Sequence, residues 1–291
     1  MEAIPFEPIR AYRAHTFRFH PGLRLTSREE AVAYVNERGF IFFWPIRDIL
    51  LPNLWGAVAG DRPVADEHDD PGHVTWGWKD SLLGSDQWYY AKVLRKKSTM
   101  IAMRAIPYFY ALSENYGSPE DDHIILYEQG RLTQEAKAVY QAILDNGPLD
   151  TIALRRAARL SSPESEARFN KAITDLQAGF LLVPVAVTQA GAWHYAFAYD
   201  IANRHYPEIP EKARFIGELD ARRELVRLYF HSVGAAQLRN VTMLFGWRPA
   251  EAEAAIQHWI KAGLIQQAVI ESLRGEWYVL CHLVGKTGSE G

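Results

Sequence analysis

A Lys-Asp pair beside two tryptophans combines the residue types best suited to chemistry. Within "HVTWGWKDSLLG", Lys79 and Asp80 follow Trp76 and Trp78. A carboxylate can act as a general base, and a desolvated lysine amine can act as a Schiff-base nucleophile. If this stretch is extended, the two indoles share one face and Gly77 lets a substrate approach closely. Lys79 and Asp80 are therefore the candidate catalytic residues, and an ion pair at the edge of an aromatic core is the structural alternative.

The segment "DRPVADEHDDPGH", residues 61–73, combines five carboxylates with His68 and His73. Carboxylates and imidazoles can bind a divalent metal ion. Their spacing matches none of the common ligand motifs, and the Pro and Gly content indicates a loop. We therefore predict an acidic surface loop, with no metal site and no cofactor. A metal or ligand site in this loop is the alternative.

Basic residues concentrate in two parts of a chain whose net charge is −3, so any contact with nucleic acid must come from local patches. The run "WYYAKVLRKKST" places four cations directly after three aromatic residues. Cations beside aromatic rings are typical of surfaces that hold phosphates and stack bases, and a solvated helix face is the alternative. A second group of basic residues lies between residues 155 and 171. The predicted phosphate contacts from the two groups are Lys92, Arg95, Lys96, Lys97, Arg155, Arg156, Arg168 and Lys171.

The composition excludes several classes of protein. The 291 residues are 48% hydrophobic and 23% charged, which is typical of a globular protein. The single cysteine excludes an internal disulfide. No apolar run reaches the length of a membrane span, and "MEAIPFEPIR" lacks the order of a signal peptide. We therefore expect a cytoplasmic protein that makes no membrane contact.

Two segments of the second half share the order helix, helix, helix, strand, strand. The first begins at "LTQEAKAVYQAILDNGP", where Thr133 is placed as N-cap and Gly147-Pro148 as the stop, and ends at "WHYAFAYDI". The second runs from "GELDARRELVRLYFHSV" to "EWYVLCHLV". This order is typical of a winged helix-turn-helix unit, whose third helix enters the DNA major groove and whose hairpin forms the wing.

The predicted fold is therefore α+β and mainly helical, with tandem winged helix-turn-helix domains and small β-hairpin wings. We divide it into an aromatic-rich N-terminal domain (1–130), a middle winged helix (131–206) and a C-terminal winged helix (207–291). The third helix of the middle domain carries Arg168 and Lys171, whereas that of the last domain carries Glu251 and Glu253. If one domain contacts phosphates, we expect it to be the middle one.

The sequence resembles the winged-helix DNA glycosylases of the AlkZ/YcaQ type over roughly residues 27–285. The segment "SREEAVAYVNERGFIFFWPIRDILLPNLWGAV" carries the general likeness. The stretches "LPNLWGAVAGDRPV", "DDPGHVTWGWKDSLLG", "YFYALSENYG", "RFNKAITDLQ" and "AGAWHYAF" are similar to the AlkZ-related subgroup. Since that family excises alkylated or crosslinked bases, the resemblance implies double-stranded DNA, plain or damaged, as the partner.

The resemblance also implies where the family's catalytic groups would lie. Characterised members carry Gln-x-Gln or Gln-x-Asp on a strand after a helix, and "ERGFIFFWPI" aligns that motif on Phe42, Phe43 and Trp44. A phenyl ring and an indole cannot accept a proton from water or stabilise a cationic sugar. The family's catalytic residues therefore do not carry over, and base excision by that route is not expected.

Aromatic residues concentrate in the first part of the chain, which favours a cleft that binds a base or another ligand. Such rings can offset the free energy of unstacking a base. The residues predicted to line this cleft are Phe42, Trp44, Trp76, Trp78 and Tyr89. The leading interpretation is a DNA-binding protein that acts on or senses damaged DNA. The alternative is a small-molecule or metal-binding enzyme that uses the same cleft and does not act on DNA.

Overall fold

The fold is mixed α+β, and about half of the chain is helical. A computed structural model describes residues 3–191 and 194–284. The described residues group into two compact units, drawn from residues 1–75 and 218–291 (unit 1) and from residues 76–217 (unit 2). The division at residues 130 and 206 stays a prediction.

The helices begin and end as follows. In chain order they are α1 (Glu7–Thr16), α2 (Arg28–Arg38), α3 (Leu54–Ala59), α4 (Val74–Ser81), α5 (Ile106–Tyr110), α6 (Asp122–Glu128), α7 (Gln134–Asn146), α8 (Thr151–Ala157), α9 (Glu166–Ala178), α10 (Ala202–His205), α11 (Glu208–Ala213), α12 (Glu218–Val233), α13 (Leu238–Phe245), α14 (Pro249–Lys261) and α15 (Cys281–Val284).

The strands are short. In chain order they are β1 (Ala3–Ile4), β2 (Phe40–Phe42), β3 (Tyr89–Lys92), β4 (Ser98–Ile101), β5 (Leu149–Asp150), β6 (Leu182–Thr188), β7 (Ala196–Ile201), β8 (Ala235–Ala236), β9 (Ile265–Ile270) and β10 (Trp277–Leu280). Unit 1 contains a sheet of order β1-β9-β10-β8, in which only the β1–β9 pair is parallel. Unit 2 contains an antiparallel sheet of order β5-β7-β6 and the β3–β4 hairpin.

In unit 2 the order α7, β5, α8, α9, β6, β7 forms around one apolar core. Local signals decide the helix ends. Thr133 accepts a hydrogen bond from the backbone of α7, as the sequence predicts, and Gly147 ends the helix with a φ of +78°. The α9 stripe of Phe169, Ile173 and Leu176 is buried in this core.

Unit 1 repeats the order with α12, β8, α13, α14, β9 and β10. Pro249 occupies the first turn of α14, where the missing backbone N–H costs nothing. Ala255 and Ile256 are buried on the predicted apolar face of that helix. The stretch "EWYVLCHLV", expected to be a strand throughout, changes at Cys281 into the helix α15.

The condition under which the two indoles would share a face is not met: residues 74–81 of "HVTWGWKDSLLG" form the helix α4 instead of an extended segment. Side chains two positions apart on a helix point in nearly opposite directions. Trp76 and Trp78 therefore do not share a face, and Trp76 is the more exposed of the two. Because residues three apart on a helix are neighbours, Trp76 instead lies beside Lys79.

The basic run of residues 92–97 is not a helix face but the turn of the β3–β4 hairpin. Arg95 and Lys96 both adopt the left-handed backbone conformation there, with φ of 53° and 57°. Among the described residues, none of the helices is both long and apolar enough to cross a membrane.

Candidate functional site

The Lys-Asp pair of α4 forms a closed polar triangle with a tyrosine from the start of the β7 region. Lys79 Nζ lies 2.7 Å from Asp80 Oδ1 and donates a hydrogen bond to the Tyr195 hydroxyl at 3.0 Å. The Tyr195 hydroxyl in turn donates to Asp80 Oδ1 at 3.0 Å. The Lys79 side chain is only 1% exposed, whereas that of Asp80 is 22% exposed. Of the two charged groups, therefore, only the carboxylate is directly open to solvent.

Aromatic rings enclose the Lys79 amine. Its Nζ lies 4.5 Å from the ring centroid of Trp76, 4.8 Å from Phe197 and 5.5 Å from Tyr90. Cation–π attraction stabilises the charged amine at such distances. Burial nevertheless lowers the pKa of Lys79, and Asp80 opposes that shift. The amine is thus a buried, paired cation, and Tyr195 would have to move before a substrate reached it.

Tyr195 and Phe197 belong to this cluster although their sequence positions did not predict it. Burial, followed by the charge on Asp80, raises the pKa of Tyr195, so its hydroxyl keeps its proton and can donate. The available signal was the alternation of aromatic residues in "WHYAFAYDI", which places Tyr195, Phe197 and Tyr199 on one side of an extended chain. The pattern predicts a shared face but not the residues that face contacts.

The positions of the family motif form part of the apolar interior of unit 1. Phe42 and Phe43 are 1% and 3% exposed. Trp44 is half-buried and stacks on Trp55, with ring centroids 6.0 Å apart and planes inclined by 25°. The His73 ring approaches Trp55 at 5.2 Å. An aromatic stack therefore occupies the place where the resemblance implies a polar pair.

The five predicted cleft residues have different environments. Phe42 and Tyr89 are buried in the cores of units 1 and 2, and no ring face of theirs is open to a base in this structure. Burial raises the pKa of Tyr89 well above its usual value. Trp44, Trp76 and Trp78 retain partly exposed rings. Only these three present surface on which a base could stack.

The β3–β4 turn and α9 join to form one basic surface, which we define by Lys92, Arg95, Lys96, Lys97 and Lys171. The Lys92 backbone N–H donates to the Gln177 side chain at 3.1 Å. Lys96 and Lys171 each approach one oxygen of Asp175, at 2.5 Å. Although burial alone would raise it, these two lysines hold the pKa of Asp175 below its usual value.

The predicted arginines near the start of α9 are engaged in different ways. Arg155 donates to the backbone carbonyls of Leu160 and Ser162, at 3.0 and 3.1 Å, and therefore stabilises the segment between α8 and α9. Arg168 forms an ion pair with Glu135 at 2.9 Å and is 61% exposed. Arg156 is exposed. Arg156 and Arg168 can thus meet a phosphate more directly than Arg155.

The acidic loop does not gather ligands for a metal ion. Within residues 3–191 and 194–284, no group of three or more His, Cys, Asp or Glu side chains is placed to hold one. Asp70 instead forms an ion pair with Arg62 at 2.6 Å and accepts a hydrogen bond from the Gly72 backbone. These contacts, Arg62 first, hold the pKa of Asp70 below its usual value.

Comparison with known proteins adds two matches. The model of the family described as AlkZ related matches residues 25–246, about three quarters of the chain. Among solved structures, the Streptomyces sahachiroi DNA glycosylase AlkZ aligns with a TM-score of 0.60 and covers 97% of this chain and 71% of that one. The two sequences are 11% identical over this alignment, so the likeness is one of fold. No curated protein sequence matches.

Proposed function

Because the chain belongs to the AlkZ-related family, we propose that it is a DNA-binding protein that recognises double-stranded DNA, plain or damaged. One observation carries this proposal. Two segments that lie far apart in the sequence, the β3–β4 turn and α9, supply the cations of a single surface. Lys96 and Lys171 pair with the carboxylate of Asp175, while Lys92, Arg95 and Lys97 of the same surface are exposed. The excess positive charge of these five cations over one carboxylate can meet several phosphates.

We further propose that the two repeated element orders are winged helices. In unit 2, α9 would be the helix that enters the major groove and the β6–β7 hairpin would be the wing. The order α7, β5, α8, α9, β6, β7 and the sheet order β5-β7-β6 support this assignment. The corresponding α14 of unit 1 carries Glu251 in its first turn, in an ion pair with Arg248, which makes it the poorer phosphate-binding surface.

The backbone of the β3–β4 turn gives independent support. Arg95 and Lys96 adopt left-handed conformations that glycine or asparagine adopts at lower cost, and each costs about 1–2 kcal/mol in a residue with a side chain. Both are exposed, so core packing does not account for their presence. A requirement for positive charge at this turn accounts for the presence of Arg95 and Lys96.

We do not propose that this protein releases bases by the route that the glycosylase resemblance implies. With Phe42, Phe43 and Trp44 at the motif positions, the protein has no carboxylate or amide there to activate water. Any base release must therefore use other groups, and Lys79 with Asp80 are the ones we propose. The partly exposed Asp80 would act as the base, because Lys79 is enclosed.

A salt series with charge-reversal variants tests the proposal. We expect the protein to bind short labelled duplexes, plain, N7-alkylated and abasic, with an affinity that falls steeply as salt rises. The double variant Arg95→Glu, Lys97→Glu should bind much more weakly. The matched control Lys212→Glu, Arg214→Glu changes the same charge at exposed positions outside the basic surface.

Equal losses in the two double variants would mean that net charge and not the basic surface holds DNA. A wild-type protein that does not bind any duplex at low salt would exclude the proposed function. Base release in the same samples would show whether the protein also catalyses excision.

A further inference from the structure

We infer that unit 2 contains a binding site for a single unstacked nucleotide, in a cavity beside the basic surface. The cavity has a volume of about 590 Å³ and lies between the end of α9, the segment after α5 and the start of α7. That volume falls within the range of about 300–1,000 Å³ found for sites that enclose small ligands. The inference rests on the proposed binding of DNA.

One wall of the cavity is apolar and fits the flat face of a base. Phe109, Leu112 and Leu132 contribute to it, together with Phe180 and Leu181. Leu112 and Leu132 are half-buried, so part of each side chain remains available for contact. Unstacking a base exposes its face to water, and apolar contacts of this kind offset that loss.

Another part of the cavity lining is basic and fits a phosphate. Lys96 and Lys171 both line it, and both approach the same carboxylate, that of Asp175. Arg131 lines the mouth in an ion pair with Glu114. The three cations therefore exceed the two carboxylates by one positive charge. Apolar side chains and cations in one cavity are the combination that a nucleotide requires.

The position of the cavity selects a nucleotide of bound DNA as the occupant. Lys96 and Lys171 belong both to the cavity rim and to the basic surface. A duplex held on that surface would bring its backbone to the mouth of the cavity. A nucleotide could then enter without releasing its phosphate from these two lysines.

One residue of the apolar wall, Phe180, is held in a costly backbone conformation. Phe180 has a φ of +58°, which is unusual for a bulky side chain. Its carbonyl accepts a hydrogen bond from the Asn115 amide at 2.7 Å, and Asn115 accepts one from Asn203 at 2.9 Å. Both asparagines are buried. Such strain concentrates at sites of function and persists where the surroundings enforce it.

The test uses the full-length protein and a duplex that carries 2-aminopurine opposite an abasic position and a distant anisotropy label. The fluorescence of 2-aminopurine rises when the base leaves the stack, and anisotropy reports duplex binding separately. Binding of the wild-type protein should raise the fluorescence severalfold. Ala178→Phe, which places a ring in the cavity, should abolish most of that rise and leave the anisotropy midpoint nearly unchanged.

Two further variants control for folding and for side-chain size. Leu112→Glu introduces a carboxylate into the apolar wall and should also abolish the fluorescence rise. Ala262→Phe makes the same change as Ala178→Phe at an exposed position of unit 1 and should leave both signals unchanged.

The outcomes separate the two proposals. Duplex binding without a fluorescence rise would overturn the nucleotide site and leave the proposed DNA binding intact. A fluorescence rise that survives both Ala178→Phe and Leu112→Glu would also overturn it, because the base would then occupy another place. The absence of duplex binding at low salt would overturn both proposals.

Discussion

Replacing Arg95 by glycine should stabilise the protein and weaken its binding to duplex DNA. The two effects have opposite signs because they arise from different parts of the residue. The backbone of Arg95 is left-handed, with φ 53° and ψ 25°, a conformation that glycine adopts without a steric penalty. The exposed guanidinium belongs to the basic surface.

The magnitude of the stabilisation follows from two opposing contributions. The left-handed conformation costs a residue with a Cβ atom about 1–2 kcal/mol of conformational free energy. Glycine loses more conformational entropy on folding, which costs about 0.5–1 kcal/mol. The variant should therefore gain between about 0 and 1.5 kcal/mol in the free energy of unfolding, and the middle of that range corresponds to a rise in Tm of about 2 °C.

The effect on DNA binding is measured by salt dependence. Each phosphate contact contributes about 0.9 to the slope of log affinity against log salt, so the slope should decrease by about that amount. Thermal unfolding and anisotropy titrations across a salt series measure the two effects on the same preparations.

Arg95→Ala is the matched control, because it removes the charge and keeps the Cβ atom. It should lose the same salt slope as Arg95→Gly and gain no stability. Two results would refute this reasoning: a fall in Tm for Arg95→Gly, or an unchanged salt slope in both variants. Either would mean that Arg95 is not a residue with a strained backbone whose charge contributes to DNA binding.

Three other variants test the motif positions, the Lys-Asp pair and a titrating histidine. Trp44→Gln should not release a base from an N7-alkylated duplex, because one amide lacks its polar partner; release would show that our alignment of residues 42–44 is wrong. Asp80→Asn should abolish any base release while duplex affinity stays near normal, and surviving activity would exclude Asp80 as the base. The Asp200 carboxylate, 3.8 Å from the His205 ring, raises the pKa of His205 above its usual value, so its stabilising contribution is present below about pH 6.5 and is lost as the pH rises through the raised pKa. The fall in Tm between about pH 6 and 8 should therefore be smaller in His205→Gln, and an equal fall would contradict this assignment.

Local signals in the sequence predicted much of the fold of the second half of the chain. Thr133 caps α7 and Gly147 ends it, and the apolar stripe of α9 is buried as its periodicity predicts. Such features depend on neighbours within one or two helical turns. The sequence also predicted correctly that the chain belongs with the AlkZ-related proteins, since that resemblance is carried by the residues themselves.

Alternation and helical periodicity could not be distinguished in the short stretch of residues 73–84. Its spacing of tryptophans suits a strand, yet it folds as α4, and Trp76 thereby contacts Lys79 instead of pairing with Trp78. The sequence also could not predict which aromatic side chains are buried. Phe42 and Tyr89 have the same residue types as a stacking platform, and only their packing places them in the interior.

The sequence by itself determined the main helices and hairpins of the second half of the chain, the cap and stop of α7, and the absence of a carboxylate or amide side chain at residues 42–44. Only the tertiary structure decided which chemical groups meet. Lys79 donates a hydrogen bond to Tyr195, which is 116 positions away in the sequence, and Lys96 donates one to Asp175, which is 79 positions away. The physical reason is that periodicity records the preference of one segment for a helix or strand, whereas these contacts depend on how several segments pack against one another.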